Sequence, residues 1–397
     1  MIEHSRTKRW KPAEKGKKPL PITRAARLVS ACSRARFNAG VFTQALTVTA
    51  PKRFCLLAIG CRVPRVVWGI GFVCLFISLA GGQLCASLEQ QKAELKKVER
   101  SVNTMGTAFT IDMYGSDVGR MQAASEQAFD EVKRLDEMLS NYIPDSELSR
   151  VNASAAEHPV AVSQEFFDLL SACMEYSRKG EGSFDITVGP LMKVWGFYKG
   201  SGYLPHRAEI RAALDQIGYQ NIELDATKRT VLFRKPGMSL DPGGVGKGYA
   251  VDKMVAILRA NGITSALVSG GGSSIYGIGV PPTESRGWYI RIRDPKDEKK
   301  TAAEVYLKDD SVSTSGNYEK FFRAEGKLYS HIMNPETGYP AEGTLSVSIV
   351  SPKTLDSEVW AKPYYILGRA WTEEHKPKDF RVLYCEDKPG VACAWLP

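Results

Sequence analysis

The stretch Leu240–Asp252, LDPGGVGKGYAVD, continues a strand-like MSLD (Met238–Asp241) into Asp241-Pro242 and then places four glycines within six residues, at 243, 244, 246 and 248. Beyond them Tyr249, Val251, Met254, Val255 and Leu258 fall near helical spacing, and Asn261-Gly262 supplies a stop signal. The segment therefore reads strand, glycine loop, helix. Glycines ahead of a helix start let backbone N–H groups approach an anion closely, and the helix dipole favours negative charge there. Lys247 adds a point charge. The functional reading is a phosphate or pyrophosphate cradle built on Gly243, Gly244 and Lys247; the plain reading is a tight turn with a solvated lysine. No Ser or Thr follows Gly246-Lys247 as in a P-loop, and no GxGxxG is present.

Outward from the loop, Thr107–Tyr114 alternates like a strand. Met121–Ser140 carries an apolar stripe at Ala124, Ala128, Val132, Leu135 and Leu139. A helix is expected from a Ser163 cap to Lys179, and another over Arg207–Ile217. A strand pair follows at Ile222–Leu224 and Thr230–Phe233. Further strands are expected at Ala266–Ser269, Trp288–Arg293, Glu304–Leu307 and Ser346–Val350. Long helices among short strands, with no regular βαβ rhythm, predict an α+β fold. No repeat or low-complexity tract occurs after residue 100.

Charge is unevenly spread over the 397 residues. Residues 1–65 hold 15 Lys/Arg against 2 Asp/Glu, whereas the rest holds 38 against 42. The basic excess belongs to the front end and the body is mildly acidic, which argues against nucleic acid as a partner. Val66–Leu88 is 23 residues without a charge, preceded by Arg62 and Arg65. That layout fits a membrane span or a signal peptide, and it predicts that the remainder lies on the extracytoplasmic side of the inner membrane, anchored or exported. Residues 1–65 read as a disordered basic tail or an upstream stretch included by a wrongly chosen start. Glu89–Arg100 reads as a short charged helix or tether, and 101–397 as one catalytic body. Beyond the front region only Cys173, Cys385 and Cys393 remain. Cys385 and Cys393 flank a turn and are placed to bridge in an oxidising compartment; buried small hydrophobes is the favoured reading.

Five more segments carry chemistry: Ser140–Asn152 (SNYIPDSELSRVN), Gly182–Trp195 (GSFDITVGPLMKVW), Val268–Gly279 (VSGGGSSIYGIG), Thr314–Tyr318 (TSGNY) and His331–Pro340 (HIMNPETGYP). With Met105-Gly106-Thr107 and the glycine loop, the series resembles, in order, the motifs of the ApbE family over about residues 101–370. The resemblance implies an α+β, T-fold-like architecture and a magnesium-assisted FAD:protein FMN transferase. Such an enzyme moves FMN from FAD to a Thr/Ser hydroxyl of an acceptor protein and releases AMP. Splitting of FAD to FMN and AMP, or FAD binding with little turnover, are the alternatives. By resemblance, Tyr142 and Met105 line a ring of the nucleotide, and Asp185, Asp241, Gly271, Gly272 and Thr337 contribute to its binding. Asp252 points toward the metal region as a catalytic acid. His331 precedes Asn-Pro and Thr337-Gly338, and an imidazole near its usual pKa suits removal of a hydroxyl proton.

One departure stands out. Family members carry an acid and a threonine one helical turn apart, completing a magnesium site with a loop carbonyl. Counting back from Ile366-Leu367-Gly368, those positions are Glu358 and Lys362, with Gly246 supplying the carbonyl. An ammonium is no metal ligand and repels a cation. Three arrangements are open: a metal among Glu358, the loop carbonyl and Asp252; Lys362 in the metal's place; or a shifted register with Asp356 as ligand. Ser273-Ser274, where an acid or amide is frequent in the family, is a second departure.

Overall fold

The computed structural model describes residues 94–200, 202–389 and 392–397. The expectations for residues 1–65 and 66–88 lie outside them. Among the described residues no helix is long and apolar enough to cross a membrane.

The chain opens with the antiparallel hairpin β1 (Lys96–Thr104) and β2 (Thr107–Gly115), joined by Met105-Gly106 at positive φ of 50° and 70°. The expected charged helix or tether through Arg100 is thereby corrected. Val98 and Val102 alternate with exposed residues and pack on the core, so the period from Lys96 onward is two, not 3.6. Helix α1 (Val118–Leu139) starts at an Asp117 cap and buries its predicted stripe. Then come α2 (Glu147–Ser154), β3 (Val160–Ala161) and α3 (Gln164–Lys179), the last capped by Ser163 as expected. Next are α4 (Gly189–Val194) and α5 (Arg207–Leu214), shorter than predicted, with β4 (Ile222–Asp225) and β5 (Thr230–Phe233).

MSLD is not a strand of any sheet. It makes a single bridge, Ser239 with Val188, and a 3-10 turn at Pro242–Gly244 then leads into α6 (Gly246–Ala260). After α6 follow β6 (Ala266–Gly270), β7 (Ser274–Ile278), β8 (Trp288–Arg293), β9 (Thr301–Leu307), β10 (Asp310–Gly316), β11 (Phe321–Ala324) and β12 (Lys327–Ser330). The chain closes with β13 (Thr344–Ser351), α7 (Thr354–Leu367), α8 (Arg369–His375), β14 (Arg381–Glu386) and β15 (Ala392–Trp395).

Eight strands form one antiparallel sheet in the order β1-β2-β6-β7-β10-β13-β14-β15. Helices α1, α6 and α7 cover one face. The hairpin β8–β9 covers part of the other, with Trp288, Ile292 and Leu307 packed against Val312, Val350 and Leu383. This is the expected α+β class: the two covered faces explain why central strand β13 is buried along its whole length. Cys385 and Cys393 sit opposite each other in β14–β15 and are joined in a disulfide, which corrects the reading of both as free buried thiols. Cys173 is free and buried.

Under the start of α7 strand β10 presents hydroxyls, whereas Val347 and Ile349 of β13 pack with Ala361, Tyr364 and Tyr365 farther along the helix. Ser311 and Ser313 of β10 share hydrogen bonds with Ser357 of α7. Small side chains here let the helix lie close, and the hydroxyls of Ser311, Ser313 and Ser357 satisfy one another. The approach of α6 to α7 is closer still. A Cβ on Gly248 would lie 2.7 Å from the Thr354 carbonyl oxygen and 2.9 Å from Glu358 Oε2. Gly248→Ala is therefore expected to cost about 1–3 kcal/mol through overpacking. The cost should appear as a lower urea midpoint with an unchanged slope; an unaltered midpoint would mean that the two helices part freely.

Candidate active site

The first turns of α6 and α7 are capped by each other's acids. Asp252 of α6 accepts from the N–H groups of Thr354 (2.8 Å) and Leu355 (3.0 Å), the first two amides of α7. Glu358 of α7 in turn accepts from the N–H of Gly248, the third residue of α6, and from Lys247 Nζ at 2.6 Å. First-turn amides have no partner within their own helix, and carboxylates are favoured there. Burial raises the pKa of Asp252, against the pull of those two amides. Both oxygens of Asp252, expected as a catalytic acid, brace α7 in this structure.

Glu358 is only 3% exposed. Burial alone would raise its pKa, but the charges of Lys247 and Lys362 outweigh it and hold the group ionised, below its ordinary value. One turn on, Lys362 Nζ donates to the carbonyls of Glu358 (2.7 Å) and Gly244 (3.2 Å). Burial draws its pKa down to about 8, with Glu358 opposing and Lys247 assisting. Two ammoniums and one carboxylate leave the cluster with one net positive charge beside the loop. Gly246 and Lys247 supply the first two amides of α6, and among the described residues these take no hydrogen bond. Their N–H groups, the helix dipole and the ammoniums are features that favour an anion.

As arranged here, the side chain of Glu358, expected with the Gly246 carbonyl to hold magnesium, has both oxygens engaged. A hard divalent cation asks for about six oxygens in near-octahedral array. Here the Gly244 carbonyl is taken by an ammonium, and both carboxylate oxygens of Glu358 are engaged by Lys247 and Gly248. Asp252 is spent on α7, and Asp356 accepts from the Tyr176 hydroxyl. Among the described residues no group of three His, Cys, Asp or Glu could hold a metal ion.

His331 follows β12. Its backbone N–H donates to the Lys320 carbonyl at 3.0 Å, and its Nδ1 lies 3.1 Å from the same oxygen. A carbonyl only accepts, so Nδ1 carries the hydrogen and Nε2 the free lone pair. Burial lowers its pKa to about 4, and the cations of Lys320, Lys247 and Lys362 act in the same direction, against the backbone hydrogen bond. The imidazole is therefore neutral at pH 7 and stands within the field of the two site lysines.

An aromatic wall completes the site. Tyr142 is 74% exposed and edge-on to Tyr198 (6.5 Å between centroids), with the Asp241 charge acting on both phenols. Tyr198 and Phe184 were not singled out from the sequence. Phe184 lies 3.4 Å from the place of a Cβ on Gly244, and Met105 Cε 3.3 Å from one on Gly246. Gly270 brings the second glycine run within 3.5 Å of Lys247 Cβ, measured from where its own Cβ would be. Gly271 and Gly272 both have positive φ, and a Cβ on Gly271 would meet Thr107 Oγ1 at 2.6 Å.

Three expected binding residues are committed elsewhere. Asp185 is buried, with Oδ1 accepting from the N–H (2.8 Å) and hydroxyl (2.7 Å) of Thr187 and Oδ2 from the Tyr219 N–H (2.8 Å). It braces the chain under the loop, although burial pushes its pKa up. Asp241 caps the 3-10 turn through the Gly243 N–H at 2.6 Å, so it supports the cradle from beneath. Thr337 is exposed in the Asn334–Tyr339 turn, where its hydroxyl accepts from the Tyr339 N–H at 3.3 Å.

The sequence profile of the ApbE family matches residues 105–380. A FAD:protein FMN transferase of Klebsiella pneumoniae is 32% identical over 268 residues, covering 66% of this chain and 80% of that protein. One from Treponema pallidum is 32% identical over 319 residues, covering 76% and 86%. Among solved structures, the ApbE protein of Thermotoga maritima superposes with a TM-score of 0.69 at 27% identity, over 75% of this chain and 97% of that one. The apo flavinyl transferase ApbE of Pseudomonas stutzeri does so at 0.68 and 26%, over 77% and 96%.

A folded pKa below the ordinary histidine value means that the unfolded chain binds the extra proton first. The contribution of His331 to stability is thus intact above the ordinary histidine range and falls as pH drops toward 4. Imidazole resonances of His331, assigned by comparison with His331→Gln, should titrate near pH 4 in the folded protein. A midpoint in the ordinary range near 6.5 would contradict the burial and the neighbouring cations.

Proposed function

The chain belongs to the ApbE family, and on that premise we propose that it moves FMN from FAD to a threonine or serine hydroxyl of a target protein, with release of AMP. The observation that carries this reading is the partnerless pair of amides at Gly246 and Lys247, set beside two lysines and the neutral His331. A pyrophosphate carries the charge such a cradle neutralises, and fixed donors stabilise the charge that grows on it in the transition state.

The acceptor hydroxyl oxygen attacks the phosphorus on the riboflavin side. A new P–O ester bond forms there, the bond from that phosphorus to the bridging oxygen breaks, and the bridging oxygen departs on AMP. The hydroxyl proton passes to Nε2 of His331, whose other nitrogen is fixed on the Lys320 carbonyl. Tyr142, Tyr198 and Met105 offer apolar faces to a ring of the nucleotide. Magnesium is implied by the family resemblance, and no step here runs through it.

The body is also proposed to work outside the cytoplasm, carried there by residues 66–88. The charge-free run after Arg62 and Arg65 supports this, and so does the Cys385–Cys393 bond, since such bonds persist in oxidising compartments. In the producing organism these two cysteines should resist alkylation until reductant is added; ready labelling without reductant would argue for a reducing compartment.

Incubating the full-length protein with FAD and a threonine-bearing acceptor should give in-gel flavin fluorescence on the acceptor and one AMP per flavin transferred. AMP without covalent fluorescence would mean hydrolysis instead, and intact FAD with neither signal would leave a binding protein. His331→Gln should lower the transfer rate about a hundredfold or more while FAD binding persists. Unchanged transfer would remove the histidine from the reaction.

A further inference from the structure

We infer that Lys362 stands in for a divalent cation in this chain, forming with Lys247 and the loop amides a metal-free clamp for the pyrophosphate. The inference rests on the FAD reading above and deepens it. Three observations carry it.

The first is which atoms are spoken for. Lys362 Nζ donates to the Gly244 carbonyl, beside the loop, and to the Glu358 backbone carbonyl. Glu358 is held by Lys247 Nζ and the Gly248 N–H. Asp252 and Asp356 are engaged outside the cluster, by α7 and by Tyr176. The second is how the ammonium is fixed. Lys362 Cε lies 3.3 Å from where a Cβ on Gly244 would be, and Phe184 lies against the same point at 3.4 Å. The end of its stem therefore lies against the loop at Gly244, unlike that of a surface lysine free to swing into solvent.

The third is the donor count. An ammonium has three N–H groups, and Lys362 spends two on carbonyls. Among the described residues the third has no partner. Lysine binds phosphate as a point charge, and this one stands beside partnerless amides at a helix start. Glu358 cancels one of the two ammonium charges, so the clamp presents a single net charge to the anion.

Flavin fluorescence titrations of the full-length protein test this without reference to turnover. FAD affinity should be the same in EDTA as in millimolar magnesium, and transfer to a threonine-bearing acceptor should proceed at a similar rate in both. Lys362→Met, which keeps the stem and removes the charge, should weaken FAD binding in EDTA about tenfold or more. Lys362→Arg should retain most of it. Lys362→Thr, which frees the carbonyl, should make binding tighter with magnesium than without. Loss of wild-type FAD affinity in EDTA with recovery in magnesium would overturn the inference without any variant, as would a Lys362→Met protein that binds FAD like the wild type. Tight, magnesium-indifferent binding with no transfer under either condition would uphold the clamp and overturn the transferase reading instead. Absence of FAD binding in both conditions would overturn the two together.

Discussion

Two helices exchange acids, and the rest of the site is hung from that exchange. Asp252 leaves α6 to satisfy the opening amides of α7, and Glu358 leaves α7 to satisfy an opening amide of α6. Each contact is a charge-assisted hydrogen bond at a helix start, where carboxylate and dipole agree. Glu358 is buried and Asp252 partly so, and removing Glu358 would strand the buried amide of Gly248. The exchange requires the helices to be nearly in contact, which is why residue 248 has no side chain. It also fixes the face of α7 that turns toward the loop, and so fixes Lys362, one turn beyond Glu358.

The electrostatic balance follows from that placement. A buried carboxylate between two ammoniums stays charged because its neighbours outweigh desolvation. Burial, with the ammoniums assisting, keeps the nearby imidazole neutral.

The sequence made the fold legible where local chemistry decides it. The Ser163 cap, the α1 stripe and strands β2, β4, β5, β6, β8, β9 and β13 stand where periodicity puts them, because their apolar faces meet the core directly. β1 was misread because its charged composition masks a period of two that only pairing with β2 makes useful. MSLD looked like a strand by residue type, yet no neighbour lies alongside it to build a ladder. In the site, Lys247, Glu358, Lys362 and His331 were readable from motifs and spacing. Asp185, Asp252 and Thr337 were read toward the ligand, but their polar atoms serve backbone amides, and an acid's choice between ligand and amide is invisible until the chain is folded. Tyr198 and Phe184 gave no signal, since an aromatic residue in a loop reads the same whether it faces solvent or a nucleotide.

The last strand carries a consequence of its own. β15 is four residues long, borders β14 alone, and is stapled to it through Cys385–Cys393. So short a strip zips and unzips readily when only its ladder holds it. With the sulfurs reduced, it would fray and bare the outer rim of β14 as a template for a foreign chain. The bond therefore works as a latch that holds this edge of the sheet closed.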